Sequence, residues 1–217
     1  MSHRIAVLDV DLTLIENEGR TRALLVDFVG AHAGGDAALV ARARSMPIAF
    51  SIRDNVAALG LDEALQRAAL GFWRDAFFDP ARLVHDTALP GAAEAVGRLV
   101  AAGTTVVYLT ARPATLAAAT VESMRALGFP VAEPGAVLVT KPDRAQGDEA
   151  YKRAALAWIG RLGEVVLCAD NEPAHCNAMH EAFPAATTVH VDTRHSRPAP
   201  ALLPAIRRVA ALLEAIP

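Results

Sequence analysis

Ile5-Ala6-Val7-Leu8-Asp9-Val10-Asp11-Leu12-Thr13 is the stretch on which the fold turns. Four apolar residues in succession suit a strand buried on both faces of a parallel sheet. The run then stops at two acids. In an extended chain Asp9 and Asp11 point to the same side, and open α/β sheets place their ligand sites at the carboxyl ends of strands. Carboxylates pushed together there repel unless a cation or a shared proton relieves them. A hard divalent ion prefers such oxygen ligands. One carboxylate can then act as nucleophile while the other handles a proton.

Further β-prone runs follow at Thr105–Leu109, Ala136–Val139, Val165–Cys168 and Thr187–Val191. Between and after them Ala92–Ala101, Ala114–Leu127, Ala150–Ile159 and Ala174–Ala182 carry apolar residues at helical spacing. Alternation of this kind predicts an α/β, Rossmann-like parallel sheet of about five strands flanked by helices, with right-handed crossovers. From Leu14 to Leu89 no strand is expected. Thr21–His32, Asp36–Ser45, Ile52–Leu59 and Asp62–Phe78 read as helices, with Gly34-Gly35 as a stop and Asp36 and Asp62 as N-caps. Residues 16–87 thus form an all-helical insertion after the first strand, and 1–15 with 88–217 form the core. Phe72, Trp73, Phe77 and Phe78 read as the insertion's own packing. Arg20, Arg22 and Arg53 read as solvated helix faces. The tail starts in a Pro-rich turn and is expected to end in a helix around Leu202–Leu213.

Hydrophobic residues make up 53% of the 217 and charged residues 21%, enough apolar content for a packed core. The net charge of −3 argues against a broad basic nucleic-acid surface. Two cysteines give no disulfide framework and no four-ligand zinc site. Ile5–Leu8 is too short for a signal-peptide core. Leu99–Ala111, the longest charge-free stretch, falls short of the roughly 18 residues that suggest a membrane span. A cytoplasmic protein without a membrane partner is expected.

Other strand ends also carry chemistry. Thr110-Ala111-Arg112-Pro113 offers a hydroxyl and backbone N–H groups at a helix start, where an anion is favoured, with Pro113 fitting the first helical turn. Lys141 and Lys152 are the only lysines in an arginine-rich chain; either can neutralise a phosphate and a nucleophile. Asp170-Asn171-Glu172 follows another strand and places a third acid toward a cation site. His175, Cys176 and His180 do not share one helix face, so they read as no transition-metal site.

Taken together these residues resemble the haloacid dehalogenase-like (HAD) superfamily, over segments 4–13 and 90–191. Asp9-Val10-Asp11-Leu12-Thr13 resembles its first motif, Thr110 the second, Lys152 the third with Lys141 as runner-up, and Asp170 the fourth. The resemblance implies that Asp9 forms an aspartyl-phosphate. It implies that Asp11 protonates the leaving oxygen and then activates water. Thr110, Ala111, Arg112 and Lys152 would hold the phosphoryl group. Asp9, Asp11, Asp170, Asn171 and the Val10 carbonyl would make the Mg²⁺ site. An acid two residues after the nucleophile separates the phosphatase branch from dehalogenases. The insertion resembles a C1-type cap, and the implied substrate is a small phosphorylated metabolite. Ala174 and His175 stand where the fourth motif often has a second acid, leaving Asn171 or Glu172 to hold metal-bound water. A receiver-like phospho-acceptor without turnover, or a HAD-like hydrolase of another bond type, stays open as an alternative.

Overall fold

A computed structural model describes residues 3–34 and 36–216, so Gly35 of the expected stop lies outside the described residues. The chain divides into two compact units, Met1–Glu16 with Ala88–Pro217, and Asn17–Thr87.

The first strand, β1 (Arg4–Leu8), is followed by a two-residue strand β2 (Ile15–Glu16). The second unit then runs through α1 (Glu18–His32), α2 (Ala37–Ser45), α3 (Ile52–Ala58) and α4 (Glu63–Ala76), with a 3₁₀ turn at Pro80–His85. Asp36 caps α2 by accepting from Ala38 and Leu39 N–H, and Asp62 caps α4 by accepting from Leu65 N–H. Each satisfies donors that a helix start leaves unpaired. The core of this unit gathers Leu25, Phe28, Val29, Val56, Leu59 and Ala69. Arg20, expected on a solvated face, is fully buried. Its guanidinium meets the Asp86 carboxylate at 2.9 Å and stacks 4.1 Å from the Phe77 ring centre. Phe77 in turn packs on Trp73 and Phe78.

Gly19 lies in α1, where alanine is ordinarily favoured over glycine by about 1 kcal/mol. A Cβ there would sit 2.4 Å from the His85 carbonyl oxygen, a backbone atom with little room to yield. Overpacking of this kind costs about 1–3 kcal/mol. The clash outweighs propensity, so Gly19→Ala should lower the midpoint of thermal unfolding by several degrees. An unchanged or raised midpoint in a calorimetric scan would contradict the contact.

The first unit resumes with β3 (Thr87–Ala88), α5 (Ala92–Ala101) and β4 (Thr105–Pro113). It continues with α6 (Ala117–Ala126), β5 (Ala136–Lys141), α7 (Asp148–Ile159), β6 (Glu164–Asp170), α8 (Pro173–Ala182), β7 (Thr187–Val191) and β8 (Arg207–Val209). The main sheet has six strands in the order β5-β4-β1-β6-β7-β8, and every pairing is parallel. β1 lies between β4 and β6, which explains its unbroken apolar run. Ala6 and Leu8 face one layer with α5 residues Ala95, Val96 and Leu99. Ile5 and Val7 face the other, with α7 residues Tyr151, Ala155 and Ile159.

Three expectations about elements are corrected. β2 and β3 are short strands, paired with each other, inside the span read as strand-free. The tail forms no α-helix: β8 adds a sixth strand to β7, and a 3₁₀ turn follows at Leu212–Ala215. Pro204 cannot donate into a helical ladder, while Arg207–Val209 can still satisfy the outer edge of β7. Finally, the chain stays extended through Pro113, whose ψ is 153°, so Pro113 precedes the helix rather than opening its first turn. α6 is preceded by a 3₁₀ turn at Ala114–Leu116. Among the described residues no helix is long and apolar enough to cross a membrane.

Candidate active site

The site is built at the carboxyl edge of the parallel sheet. Leu8 of β1 pairs with Ala169 of β6, so Asp9 and Asp170 leave adjacent strands side by side. Asp9 N–H still donates to the Ala169 carbonyl at 2.9 Å, which holds the two ends together. Helix α7 delivers Lys152 between them. Its Nζ donates to Asp9 Oδ1 at 2.7 Å and to Asp170 Oδ2 at 2.6 Å. All three side chains are buried. Of the two candidate lysines, Lys152 is therefore the one that meets the acids. Lys141 donates instead to Asp148 Oδ1, to the Gln146 carbonyl and, at longer range, to the Arg144 carbonyl. It fastens the loop that leads into α7.

The other oxygens are also held. Asp9 Oδ2 accepts from Thr13 Oγ1 at 2.8 Å, and Asp170 Oδ1 accepts from Glu172 N–H at 2.8 Å. His175 Nδ1 stands 3.4 Å from Asp170 Oδ2. Burial pushes the Asp9 carboxyl up, and the neighbouring Asp170 charge adds to this against the pull of Lys152, leaving it at about 6. Burial acts on Asp170 in the same sense, but Lys152 and His175 overcome it and hold that carboxyl well below the usual range. Lys152, despite its burial, is kept firmly protonated by Asp170 and Asp9. The centre is a triple ion, two carboxylates on one ammonium.

Asp11 does not join this triple. Its two oxygens are gripped by the Arg112 guanidinium, Nε to Oδ2 at 2.8 Å and Nη2 to Oδ1 at 2.9 Å. Repulsion between Asp9 and Asp11 is thus relieved by two separate cations rather than a shared one. The Val10 carbonyl, expected as a metal ligand, accepts instead from the N–H groups of Thr13, Leu14 and Ile15. It closes a turn in which Leu12 takes a left-handed φ of 63°. Thr110 is buried, and its hydroxyl oxygen accepts from Arg112 N–H at 3.2 Å. Ala111 lies between them, half-buried.

Asn171 is buried, with its Oδ1 3.4 Å from the Thr13 hydroxyl and its amide nitrogen donating to the Arg194 carbonyl. Glu172, expected near a metal, instead accepts from Ser196 N–H and Ser196 Oγ. Thr193 Oγ1 donates to the Leu12 carbonyl, and Arg194 pairs with Glu16. The segment after β7 therefore straps the site's turns together. Nothing local in Thr193, Arg194 or Ser196 marks that role; only the strand order, which places β7 beside β6, brings them there. Among the described residues no three His, Cys, Asp or Glu side chains are grouped to hold a metal ion.

No protein-family model matches the chain, and no curated protein matches it in sequence. Solved structures do match in fold. A HAD-superfamily hydrolase, subfamily IA variant 1, of Geobacter sulfurreducens superposes with a TM-score of 0.60 at 13% identity, covering 98% of this chain and 94% of its own. CbbY of Rhodobacter sphaeroides, solved with phosphate, gives 0.57 at 16%, over 99% and 96%. Protein Tyrosine Kinase A of Mycobacterium tuberculosis gives 0.60 at 18%, over 99% and 96%. The chain has the α/β fold of the HAD-like hydrolases. A shared fold does not by itself imply a shared activity, which resides in the site.

Proposed function

We propose that the protein is a phosphomonoester hydrolase acting through an aspartyl-phosphate on Asp9. The observation that carries this reading is the buried meeting of Asp9, Lys152 and Asp170. An Asp9 carboxylate oxygen attacks phosphorus and the bond to the leaving oxygen breaks. Asp11, protonated at the start of the cycle, gives that oxygen its proton and becomes the carboxylate that the Arg112 fork holds. Water then attacks the acyl phosphate, giving its proton to Asp11, and inorganic phosphate leaves with Asp9 restored. The Lys152 ammonium neutralises both nucleophile and phosphoryl oxygens, where such a transfer most needs positive charge. Thr110 lies at the neighbouring strand end, within the motif read as holding the phosphoryl group.

Asp9, Asp170 and Asn171 would hold Mg²⁺ through side-chain oxygens, the hard donors it prefers, in exchange for part of their present contacts with Lys152, Thr13 and the Glu172 N–H. When bound, Mg²⁺ would relieve repulsion between the carboxylates and the phosphate. The helical unit 17–87 is read as the cap that excludes water and selects a small phosphorylated substrate.

The test is phosphate release from p-nitrophenyl phosphate and from a panel of phosphorylated metabolites. Release over many turnovers, dependent on Mg²⁺ and abolished by chelation, is the expected result. A single stoichiometric phosphorylation without turnover favours the receiver-like alternative and overturns the hydrolase reading.

A further inference from the structure

Resting on the hydrolase reading above, the geometry points to Arg112 as a positioning residue that aims the Asp11 carboxyl at the leaving oxygen, rather than as a substrate ligand. Its sequence neighbours Thr110 and Ala111 suggested phosphate contact. The structure gives its Nε and Nη2 to the Asp11 carboxylate instead.

The argument begins in β4. Its register against β5 runs evenly from Val106 to Thr110, then shifts before Pro113. Such irregularities re-aim side chains and gather near functional sites. Here the Thr110 hydroxyl accepts the Arg112 N–H across the shift, and Pro113 holds the exit extended. Arg112 is thereby turned toward the end of β1, the strand beside β4. The Arg112 side chain is completely buried, whereas that of Asp11 is 26% exposed. The guanidinium is enclosed, and the carboxylate is partly open. A group so enclosed is poorly placed to receive a substrate anion. Two parallel N–H···O bonds fix both the distance and the plane of the carboxylate they hold, and Lys, a single flexible point charge, cannot reproduce that fork.

Asp11 is asked to give a proton in the first half-reaction. How much that proton matters depends on the leaving group. An alkoxide needs it; a nitrophenolate departs without it. General acid catalysis is ordinarily worth about 10²–10⁴-fold. A misdirected Asp11 should therefore injure alkyl phosphates selectively. The quantity to compare is kcat/KM, which reports the steps through departure of the leaving group and not the later hydrolysis of the acyl phosphate.

The experiment measures kcat/KM for an alkyl phosphate and for p-nitrophenyl phosphate in wild type and Arg112→Lys. We expect the alkyl value to fall about 10- to 100-fold and the aryl value to fall about threefold or less. Loss of a phosphate ligand would instead raise KM for both substrates together, and an equal loss on both overturns the inference. Should Arg112→Lys fold poorly by circular dichroism, Arg112→Gln carries the same comparison, since it keeps a donor while Asp11 retains access to water. Wild-type enzyme that hydrolyses neither substrate would strike the hydrolase reading; active wild type with an unmoved alkyl-to-aryl ratio in the variant strikes only the role of Arg112.

Discussion

Asp9→Asn is expected to remove at least about 10³-fold of the rate of phosphate release while leaving the protein folded. The amide has the carboxylate's shape but no nucleophilic oxygen to form the acyl phosphate. Residual hydrolysis from binding and charge stabilisation alone can persist, so the loss need not be complete. What gives the variant diagnostic value is the sign of its effect on stability. Burial raises the Asp9 carboxyl to about 6 from its ordinary value of 3.8. A carboxyl raised in this way contributes stability below its unfolded value and loses that contribution as pH rises through about 6. At pH 7 the folded protein therefore carries an ionised Asp9 at a cost, which the neutral amide does not incur. Lys152 keeps Asp170 as partner in the variant. Asp9→Asn should melt at or above the wild-type temperature at pH 7, yet be nearly inactive on p-nitrophenyl phosphate. Wild-type activity in a folded Asp9→Asn would end the nucleophile assignment.

The strands of the core were legible for one physical reason. β1, β4 and β6 are covered on both faces, so their sequences could not alternate and stood out as apolar runs. β8 is not legible in the sequence because it is an edge strand: Arg207 and Arg208 are exposed and only Val209 is buried. Its pairing is a property of the β7 edge, not of its own side chains. The acids were legible because two of them end apolar runs. The partner of each acid was legible only in part. The resemblance ranks Lys152 above Lys141, and the path of α7 carries its ammonium to Asp9 and Asp170 while Lys141 goes to Asp148. Arg112 was recognised as belonging to the site, but its direction depends on a register shift in β4 that no local pattern announces. Arg20 marks the opposite failure. A charge near the start of a helix reads as solvated until a distant Asp86 is seen to receive it.

Lys152→Met should be the most damaging single change to stability, and its pH dependence should run opposite to that of an ordinary acid-sensitive protein. The side chain keeps much of its volume but the ammonium is gone. Asp9 and Asp170 then face each other, buried and ionised, with no cation between them at 2.6–2.7 Å. Removing one partner of a buried ionic cluster costs about 3–5 kcal/mol, against a total stability of about 5–15 kcal/mol for a typical domain. At about 2–4 °C per kcal/mol for a chain of this size, the midpoint should fall by roughly 6–20 °C. The sign with pH follows from the two carboxyls. In wild type Lys152 helps hold Asp170 below its ordinary value, so its contribution is present at neutral pH and is lost only in strong acid. In the variant both carboxyls are pushed up by burial and by each other. Their protonated forms then fit the site better, and stability is regained as pH falls from 7 toward 5 while wild type gains less. Each unit of upward shift corresponds to about 1.4 kcal/mol between the two forms, so the gap between the proteins should narrow by a measurable part of its neutral value. Thermal melts of both proteins at pH 5 and pH 7 decide the matter. A variant that melts like wild type at pH 7, or whose deficit grows on acidification, would show that Lys152 is not the counter-charge on which Asp9 and Asp170 depend.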